Sequence, residues 1–197
     1  MKKSLLLYLI FLFITPLFSQ NILFLKSAEV LLTNDIVSDN DLNYHFMHFS
    51  EIPTYQTKEK IRALGINFLE YIPNKSYVVS IPKVCVITSL SDFGVISVTS
   101  VKPEHKIDLK LQNNKFPSWA INNNRLSVKV LLHKNADISR VEELFRINNY
   151  QIDDINVSRN NLTVTLDSNE LSVLSSLNEV WYIEPIDAPG FPENKTA

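Results

Sequence analysis

Histidine and cysteine are the residues of this chain best suited to metal or nucleophilic chemistry, and the sequence has four histidines and one cysteine. His45 and His48 lie three apart on a predicted strand, so their side chains point to opposite faces and suit a shared metal ion poorly. His105 and His133 have no cysteine or carboxylate at metal-ligand spacing, which favours surface or strand-edge positions over ligand roles. We therefore expect no metal site and no cofactor.

The single Cys85 lies among Val84, Val86 and Ile87, and these apolar neighbours predict a buried structural thiol. A nucleophilic thiolate would need a basic or helix N-terminal setting. A hydrolase that uses Cys85 and a histidine is the third of three functional hypotheses, and a cavity lined by such a pair would support it.

Carboxylates, serines and aromatic residues also lack a catalytic pattern. The adjacent pairs 142–143 and 153–154 diverge on a helix or strand, so we expect solvated faces rather than an acid/base pair. No serine stands in a G-x-S-x-G or S-x-x-K motif. Trp119, Trp181 and Tyr182 could form a ligand platform, but aromatic residues near strand ends are usually core residues.

Composition narrows the class of protein further. The 197 residues are 45% hydrophobic and 20% charged, which is typical of a globular protein. There are three glycines where average usage of about 7% would give about fourteen, so a glycine-rich phosphate loop is excluded. The net charge of −2 comes without a basic stripe, so we expect no nucleic-acid partner.

The first 19 residues are typical of a secretory signal peptide. Lys2 and Lys3 precede an apolar run over 5–18, which polar residues end abruptly at Ser19. The run is short for a spanning helix, which needs about 20 apolar residues. We expect cleavage near residue 19 and a secreted or periplasmic protein that is free of the membrane; the alternative is an uncleaved anchor.

The remaining chain repeats one order of elements: strand, helix, strand, strand, helix, strand. The first copy has predicted strands at 44–49, 68–72, 77–81 and 95–101, with helices at 57–64 and 83–91. The second copy has predicted strands at 126–133, 151–157, 162–166 and 180–184, with helices at 138–148 and 170–177. In the helix 138–148 we expect one buried face, formed by Ile138, Val141, Leu144, Phe145 and Ile147. Asn169 is the predicted N-cap of the helix 170–177.

This βαββαβ order predicts an α+β protein with two tandem ferredoxin-like units. Each unit has an antiparallel sheet with both helices on one face and the other face free for docking. The predicted organisation is a signal peptide (1–19), a leader strand or hairpin (20–40), a first unit (41–105), a linker (106–124), a second unit (125–186) and an extended tail (187–197). Each unit is small enough to be marginally stable alone, so we expect packing between them or on a partner.

Short motifs in both copies resemble the N-terminal region of secreted subtilisin-like (S8) serine peptidases of Bacteroidota. The first copy supplies Phe49-x-Glu51-Ile52-Pro53, then Gly65-Ile66, then Tyr71-Ile72-Pro73 with Tyr77. Two later stretches are similar to the same leader: VKPEHKID at 101–108 and WYIEPIDAPGFPEN at 181–194. The resemblance covers about residues 22–197.

The resemblance implies a propeptide-like chain without the catalytic domain. The family's Asp, His and Ser motifs lie downstream of this region and do not occur here, so no catalytic residue is carried over. Propeptides of subtilisins and related inhibitors bind the peptidase through a sheet face and lay a C-terminal tail along its cleft. The resemblance therefore implies a subtilisin-like peptidase domain as partner, in cis or in trans. The implied contact residues are in the tail: Pro189, Gly190, Phe191, Pro192 and Glu193.

Two functional hypotheses are preferred over the hydrolase hypothesis. The first is a secreted, non-catalytic propeptide or inhibitor-like module, either a detached leader of a subtilisin-like peptidase or a product cut short before its catalytic domain. It would template folding of the peptidase or block its cleft. The second is a free-standing secreted adaptor that uses the same sheet faces to bind another protein. Inhibition of a subtilisin-like peptidase distinguishes the two.

Overall fold

The computed structural model describes residues 22–32, 44–82 and 87–190. The predicted signal peptide and Cys85 lie outside the described residues. The strands are β1 (Ile22–Phe24), β2 (Glu29–Leu31), β3 (Tyr44–Phe49), β4 (Asn67–Ile72), β5 (Ser76–Ser80), β6 (Val95–Ser100), β7 (Ile121–Asn122), β8 (Arg125–Leu132), β9 (Gln151–Asn156), β10 (Asn161–Leu166) and β11 (Val180–Pro185). The α-helices are α1 (Tyr55–Arg62), α2 (Leu109–Gln112), α3 (Ile138–Ile147) and α4 (Leu171–Ser176).

The protein is α+β with antiparallel sheets, as the sequence predicts. The first four-stranded sheet has the order β6-β3-β5-β4, and the second has the order β11-β8-β10-β9. The short β7 pairs with the start of β8, and β1 pairs with β2 in a separate hairpin. All strand pairs in these sheets are antiparallel. Counted in chain order within each half, both sheets read 4-1-3-2.

Each sheet has a hydrophobic core on its helix-covered face. In the first, Met47 and Phe49 of β3 pack with Ile61 of α1. In the second, partly exposed and buried residues alternate strictly along β8, and the buried residues pack with Phe145 of α3. The inward residues of β8 are Leu126, Val128, Val130 and Leu132. This alternation is the period expected of a strand with one buried face.

The opposite face of the first sheet is covered, in contrast to the free face expected from the sequence. Leu23 and Val30 of the β1–β2 hairpin pack with Phe46 of β3 in a third core. Trp181 of β11 packs against the same cluster. All six residues of β3 are therefore buried. The short hairpin buries its own apolar side by lying on this sheet, which a pair of three-residue strands needs for stability.

Asparagine takes the place of glycine in the turns. Among the described residues, those with positive φ other than glycine are Asn74, Lys75, Asn114, Asn123, Asn124, Asn149 and Asn160. Asparagine tolerates the left-handed region better than most residues do. Asn160, in the turn between β9 and β10, has a φ of 51°.

All four predicted helices differ from the sequence prediction at their ends or faces, and the one predicted at 57–64 lies two residues earlier, at Tyr55–Arg62. The helix predicted at 83–91 is, in its described part, a 3-10 helix from Ile87 to Phe93. Its sequence is rich in Ser, Thr and Asp, which compete for backbone hydrogen bonds. Ile147 is 67% exposed because it lies about 200° around α3 from Phe145. The helix predicted after Asn169 begins earlier, as a 3-10 turn capped by Asp167 and Glu170.

The segment 103–124 packs against the second sheet. The Ile183 amide donates to the Lys106 carbonyl at 2.7 Å, and the Asp108 amide donates to the Ile183 carbonyl at 2.9 Å. Leu111 and Ala120 belong to the second core. The residues predicted as a linker therefore extend the edge of this sheet beside β11.

We expect Gly65→Ala to destabilise the protein by about 1–2 kcal/mol. Gly65 follows α1 with φ of +87°, and an added Cβ would lie 3.1 Å from Cγ of Pro82. Gly190→Ala is the matched control, since nothing lies within 4 Å of the added Cβ there. Urea denaturation of both variants measures the difference, and equal midpoints would contradict the strained conformation.

Candidate functional site

A polar face covers the side of the second sheet that points away from its core. We define the polar face as Arg125, Ser127 and Lys129 of β8, Thr163 and Thr165 of β10, and Glu184 of β11. These residues are cross-strand neighbours: Lys129 is opposite both Thr163 and Glu184, and Ser127 is opposite Thr165. Five of the six are partly exposed, whereas the equivalent side of the first sheet lies under the hairpin.

Hydrogen bonds fix the side chains of the polar face. The Thr165 hydroxyl donates to Asp153 Oδ2 at 2.6 Å, and Ser127 Oγ lies 2.7 Å from Thr165 Oγ1. A carboxylate only accepts, so Thr165 gives its proton to Asp153 and Ser127 donates to Thr165. Arg125 donates to the Thr165 carbonyl at 2.9 Å and to Gln151 Oε1 at 3.1 Å. These hydrogen bonds hold the side chains of Arg125, Ser127 and Thr165 in place within the face.

The start of the C-terminal tail is bound to this sheet by two contacts. Lys129 Nζ donates to Asp187 Oδ2 at 2.6 Å, and Trp119 Nε1 donates to the Ile186 carbonyl at 3.1 Å. The Lys129 ammonium lowers the pKa of the Asp187 carboxyl. Because Asp187 is exposed, solvent screens this ion pair and it contributes little to stability.

The tail residues expected to contact a partner are only partly described. Pro189 and Gly190 are exposed. Phe191, Pro192 and Glu193 lie outside the described residues, so the predicted contact set stays a prediction. The described part of the tail leaves β11 next to the polar face, through Ile186 and Asp187.

The structure separates the four histidines into three environments. His45 and His48 are buried on opposite faces of β3, as the sequence predicts, and His48 Nδ1 lies 2.9 Å from Ser76 Oγ. His105 is half-buried beside Phe46. His133 is buried and stacks on Tyr44 with ring centroids 3.6 Å apart. Across the described ranges, no three His, Cys, Asp or Glu side chains are grouped so that they could hold a metal ion.

Two buried basic residues were missed by sequence reasoning. His133, interpreted above as a surface or strand-edge residue, is 2% exposed. Burial, together with the charge of Lys106, lowers its pKa well below the usual value. Lys106, in the predicted linker, is also 2% exposed and has a pKa of about 8, lowered by burial. No signal in the sequence predicts either burial: the alternation of β8 places position 133 on the outer side of the strand, and Lys106 lies outside any periodic element.

The comparisons with known proteins concern mainly the first half of the chain. Residues 14–103 match the family model described as Domain of unknown function (DUF8729). This segment spans the hairpin and the first sheet, and it ends three residues after β6. No curated protein and no solved structure matches the chain. None of the helices described in the structure has the length and apolarity needed to cross a membrane.

Proposed function

We propose that this chain is an exported, non-catalytic module similar to the propeptides of subtilisin-like serine peptidases. In this proposal it consists of two ferredoxin-like units, and the second unit binds a peptidase domain through its polar face and tail. Binding would template folding of the peptidase or block its cleft.

Strand order supports the ferredoxin-like assignment. β3 and β4 are joined through α1, and β5 lies between them in the sheet. β8 and β9 are joined through α3, and β10 lies between them in the same way. This split βαβ arrangement, followed by a second helical crossover and a fourth strand, is typical of ferredoxin-like units.

The observation that carries the functional proposal is the pairing of an uncovered sheet face with an extended tail. The polar face is partly exposed, and the tail leaves the neighbouring strand at Ile186. A propeptide uses these two features together, the face against the peptidase surface and the tail as an added strand in the cleft. The first sheet has neither feature, because its outer face is covered by the hairpin. We therefore assign docking to the second unit.

The test is inhibition of a subtilisin-like peptidase by the chain without residues 1–19. The peptidase is the subtilisin-like catalytic domain encoded closest to the gene for this chain. We expect the peptidase to hydrolyse a chromogenic peptide more slowly with the chain than without it. The denatured peptidase should also refold faster in the presence of the chain. Chymotrypsin, which is an unrelated serine peptidase, should be unaffected.

Charge reversal on the polar face should weaken this inhibition. We expect Lys129→Glu to raise the inhibition constant at least tenfold, since it introduces a repulsive charge in the face and releases Asp187. Arg140→Glu makes the same charge change at an exposed position of α3, across the sheet from the polar face, and should have little effect. Removal of the tail after Asp187 should weaken inhibition as well.

A genome without a subtilisin-like peptidase, or a peptidase whose activity and refolding are unchanged by the chain, would contradict the proposal. The second candidate is a secreted adaptor that binds another protein through the same polar face. Under that function the chain would bind its partner through Lys129 without altering peptidase activity.

A further inference from the structure

A cavity of about 470 Å³ lies where the hairpin, the first sheet and the second sheet meet. Residues 24–27 of the hairpin, residues 69–73 of β4 and its following turn, and residues 131–134 at the end of β8 line it. Its volume falls within the range of about 300–1,000 Å³ that is typical of small-ligand sites. Its lining includes none of the residues of the polar face, and its Arg159 is close enough to Asp187 of the tail to lower the pKa of that carboxyl.

One end of this cavity is polar and basic. His133 and Lys134 follow β8, and Arg159 and Asn160 form the adjacent turn between β9 and β10. Asn160 Nδ2 donates to the His133 carbonyl at 2.7 Å, which holds the two segments together. These four residues are the polar end of the cavity.

The charge balance at the cavity favours an anion. Lys134 and Arg159 at the polar end and Lys26 of the hairpin are exposed cations that line it. Within the described part of the chain, Glu70 is the one carboxylate among the lining residues. The ion pairs in the described part of the chain involve other cations, namely Arg62, Arg125, Lys129 and Arg146.

The rest of the wall is apolar. Its apolar lining residues are Leu25, Leu69, Ile72, Val78 and Trp181, and the Trp181 ring centroid lies 5.2 Å from that of His133. Four of these five come from the hairpin and the first sheet, whereas Trp181 comes from the second sheet. An apolar wall ending in a basic cluster is complementary to a molecule with a hydrocarbon body and one anionic end.

His133 forms a buried part of the wall beside this basic cluster. The side chain is 2% exposed and lines the cavity, and its Nε2 atom has no hydrogen-bond partner. A buried polar atom without a partner is unfavourable, and native proteins rarely leave one so. Nε2 itself is enclosed, so His133 closes the wall beside the polar end and the exposed cations are the groups that can meet an anion.

We propose that this cavity binds a small amphipathic carboxylate of the medium-chain fatty acid type. The hydrocarbon chain lies along the apolar wall between the hairpin and Trp181. The carboxylate lies in the polar end, where it is neutralised by Lys134 and Arg159.

The experiment titrates the chain without residues 1–19 with decanoate, and with 1-decanol as the uncharged probe of equal length. Calorimetry gives the affinity, and tryptophan fluorescence gives the location. The chain has two tryptophans, so Trp119→Phe leaves Trp181 as the single reporter at the cavity. We expect one site, a change in Trp181 emission, and at least tenfold tighter binding of decanoate than of decanol.

Three variants assign the polar end. The double variant Lys134→Ala with Arg159→Ala should lower the affinity for decanoate at least tenfold and leave the affinity for decanol unchanged. The matched control pair is Lys60→Ala with Arg140→Ala, two exposed cations on helices on the far sides of the two sheets. His133→Phe keeps the ring stack on Tyr44 and should leave the affinity for decanoate unchanged, and its melting temperature should not fall, since the unpaired nitrogen is removed.

Absence of decanoate binding would overturn the proposal, since the cavity would then hold only water. Equal affinities for decanoate and decanol would overturn the anion-binding role of the polar end. An equal loss of decanoate affinity in the cavity variant and in the control variant would show a general charge effect, and it would also overturn the anion-binding role of the polar end. A His133→Phe protein that melts lower than the native chain would mean that Nε2 has a partner in the free protein.

Discussion

Replacing Val30 with aspartate should destabilise the protein by at least about 3 kcal/mol, whereas the same change at the adjacent Leu31 should cost less than about 0.5 kcal/mol. The two residues are neighbours on β2 and are both aliphatic. Val30 is 4% exposed, and Leu31 is 65% exposed. The pair therefore tests which side of the hairpin is buried, with chemistry and sequence position held nearly constant.

The large effect at Val30 has two physical causes. The change removes an apolar side chain from the cluster that holds Phe46, Val78 and Leu23, a loss of about 1.5–3 kcal/mol. It also forces a carboxylate into a site where no cation partner is positioned, so the group must be desolvated or protonated. At Leu31 the new carboxylate stays in water.

Chemical denaturation with far-UV circular dichroism measures both variants. If the native chain has a low free energy of unfolding, we expect Val30→Asp to be unfolded without denaturant and Leu31→Asp to remain native-like. Similar midpoints for the two variants would mean that the hairpin does not pack on the first sheet through Leu23 and Val30. The outer face of that sheet would then be free, and the assignment of docking to the second unit would lose its basis.

Replacing Lys106 with methionine should stabilise the protein by about 2 kcal/mol at pH 7. Lys106 is 2% exposed, and burial lowers its pKa from 10.5 to about 8. A shift of this size corresponds to about 3 kcal/mol of unfavourable charge burial, at 1.36 kcal/mol per pKa unit. The change also removes the hydrogen bond from Lys106 Nζ to the Leu177 carbonyl, at 2.8 Å, which offsets about 1 kcal/mol.

The same burial predicts a stability that rises with pH in the native chain. Below pH 8 Lys106 is protonated in both the folded and the unfolded state, and the full penalty is present. Between pH 8 and 10.5 the unfolded state binds more protons than the folded state does, so the free energy of unfolding increases with pH. We expect a gain of about 2 kcal/mol between pH 7 and 9.5. Above pH 10 the raised pKa of Tyr182 acts in the opposite direction, because the unfolded state then loses its proton first.

Urea denaturation at pH 7.0, 8.0, 9.0 and 9.5 measures this effect for the native chain, Lys106→Met and Lys110→Met. Lys110 is an exposed lysine on α2 and serves as the control. The rise with pH should persist in the control and disappear in Lys106→Met. A native chain whose stability is flat or falling from pH 8 to 9.5 would contradict a buried, charged Lys106.

Periodicity within single elements made much of the fold predictable. In β8 the residues Leu126, Val128, Val130 and Leu132 are all buried, as the alternation requires. In α3 the burial of Val141 and Phe145 was predicted correctly. The predicted burial of Ile147 was wrong, because an apolar residue on a helix need not lie on its buried face.

Contacts between distant segments could not be predicted in this way. The sequence YHFMHF predicts a strand for β3, yet nothing within it specifies that both faces are buried. The covering hairpin lies more than ten residues away in the chain, and Trp181 lies more than a hundred away. Burial of Lys106 and His133 arises from the same packing, since the segment that holds Lys106 pairs with Ile183 of β11.

The sequence by itself determined that this chain forms an α+β protein with antiparallel sheets, because the period of apolar residues and the turn residues act over a few positions. It also limited the chemistry, since residues at metal-ligand spacing or in nucleophile motifs are not present in it. Only the tertiary structure decided that the first sheet is covered, that the second sheet keeps a polar face beside the tail, and that a cavity with a basic end lies between them. These features depend on which surfaces meet, and surfaces meet through the burial of apolar area from segments far apart in the chain.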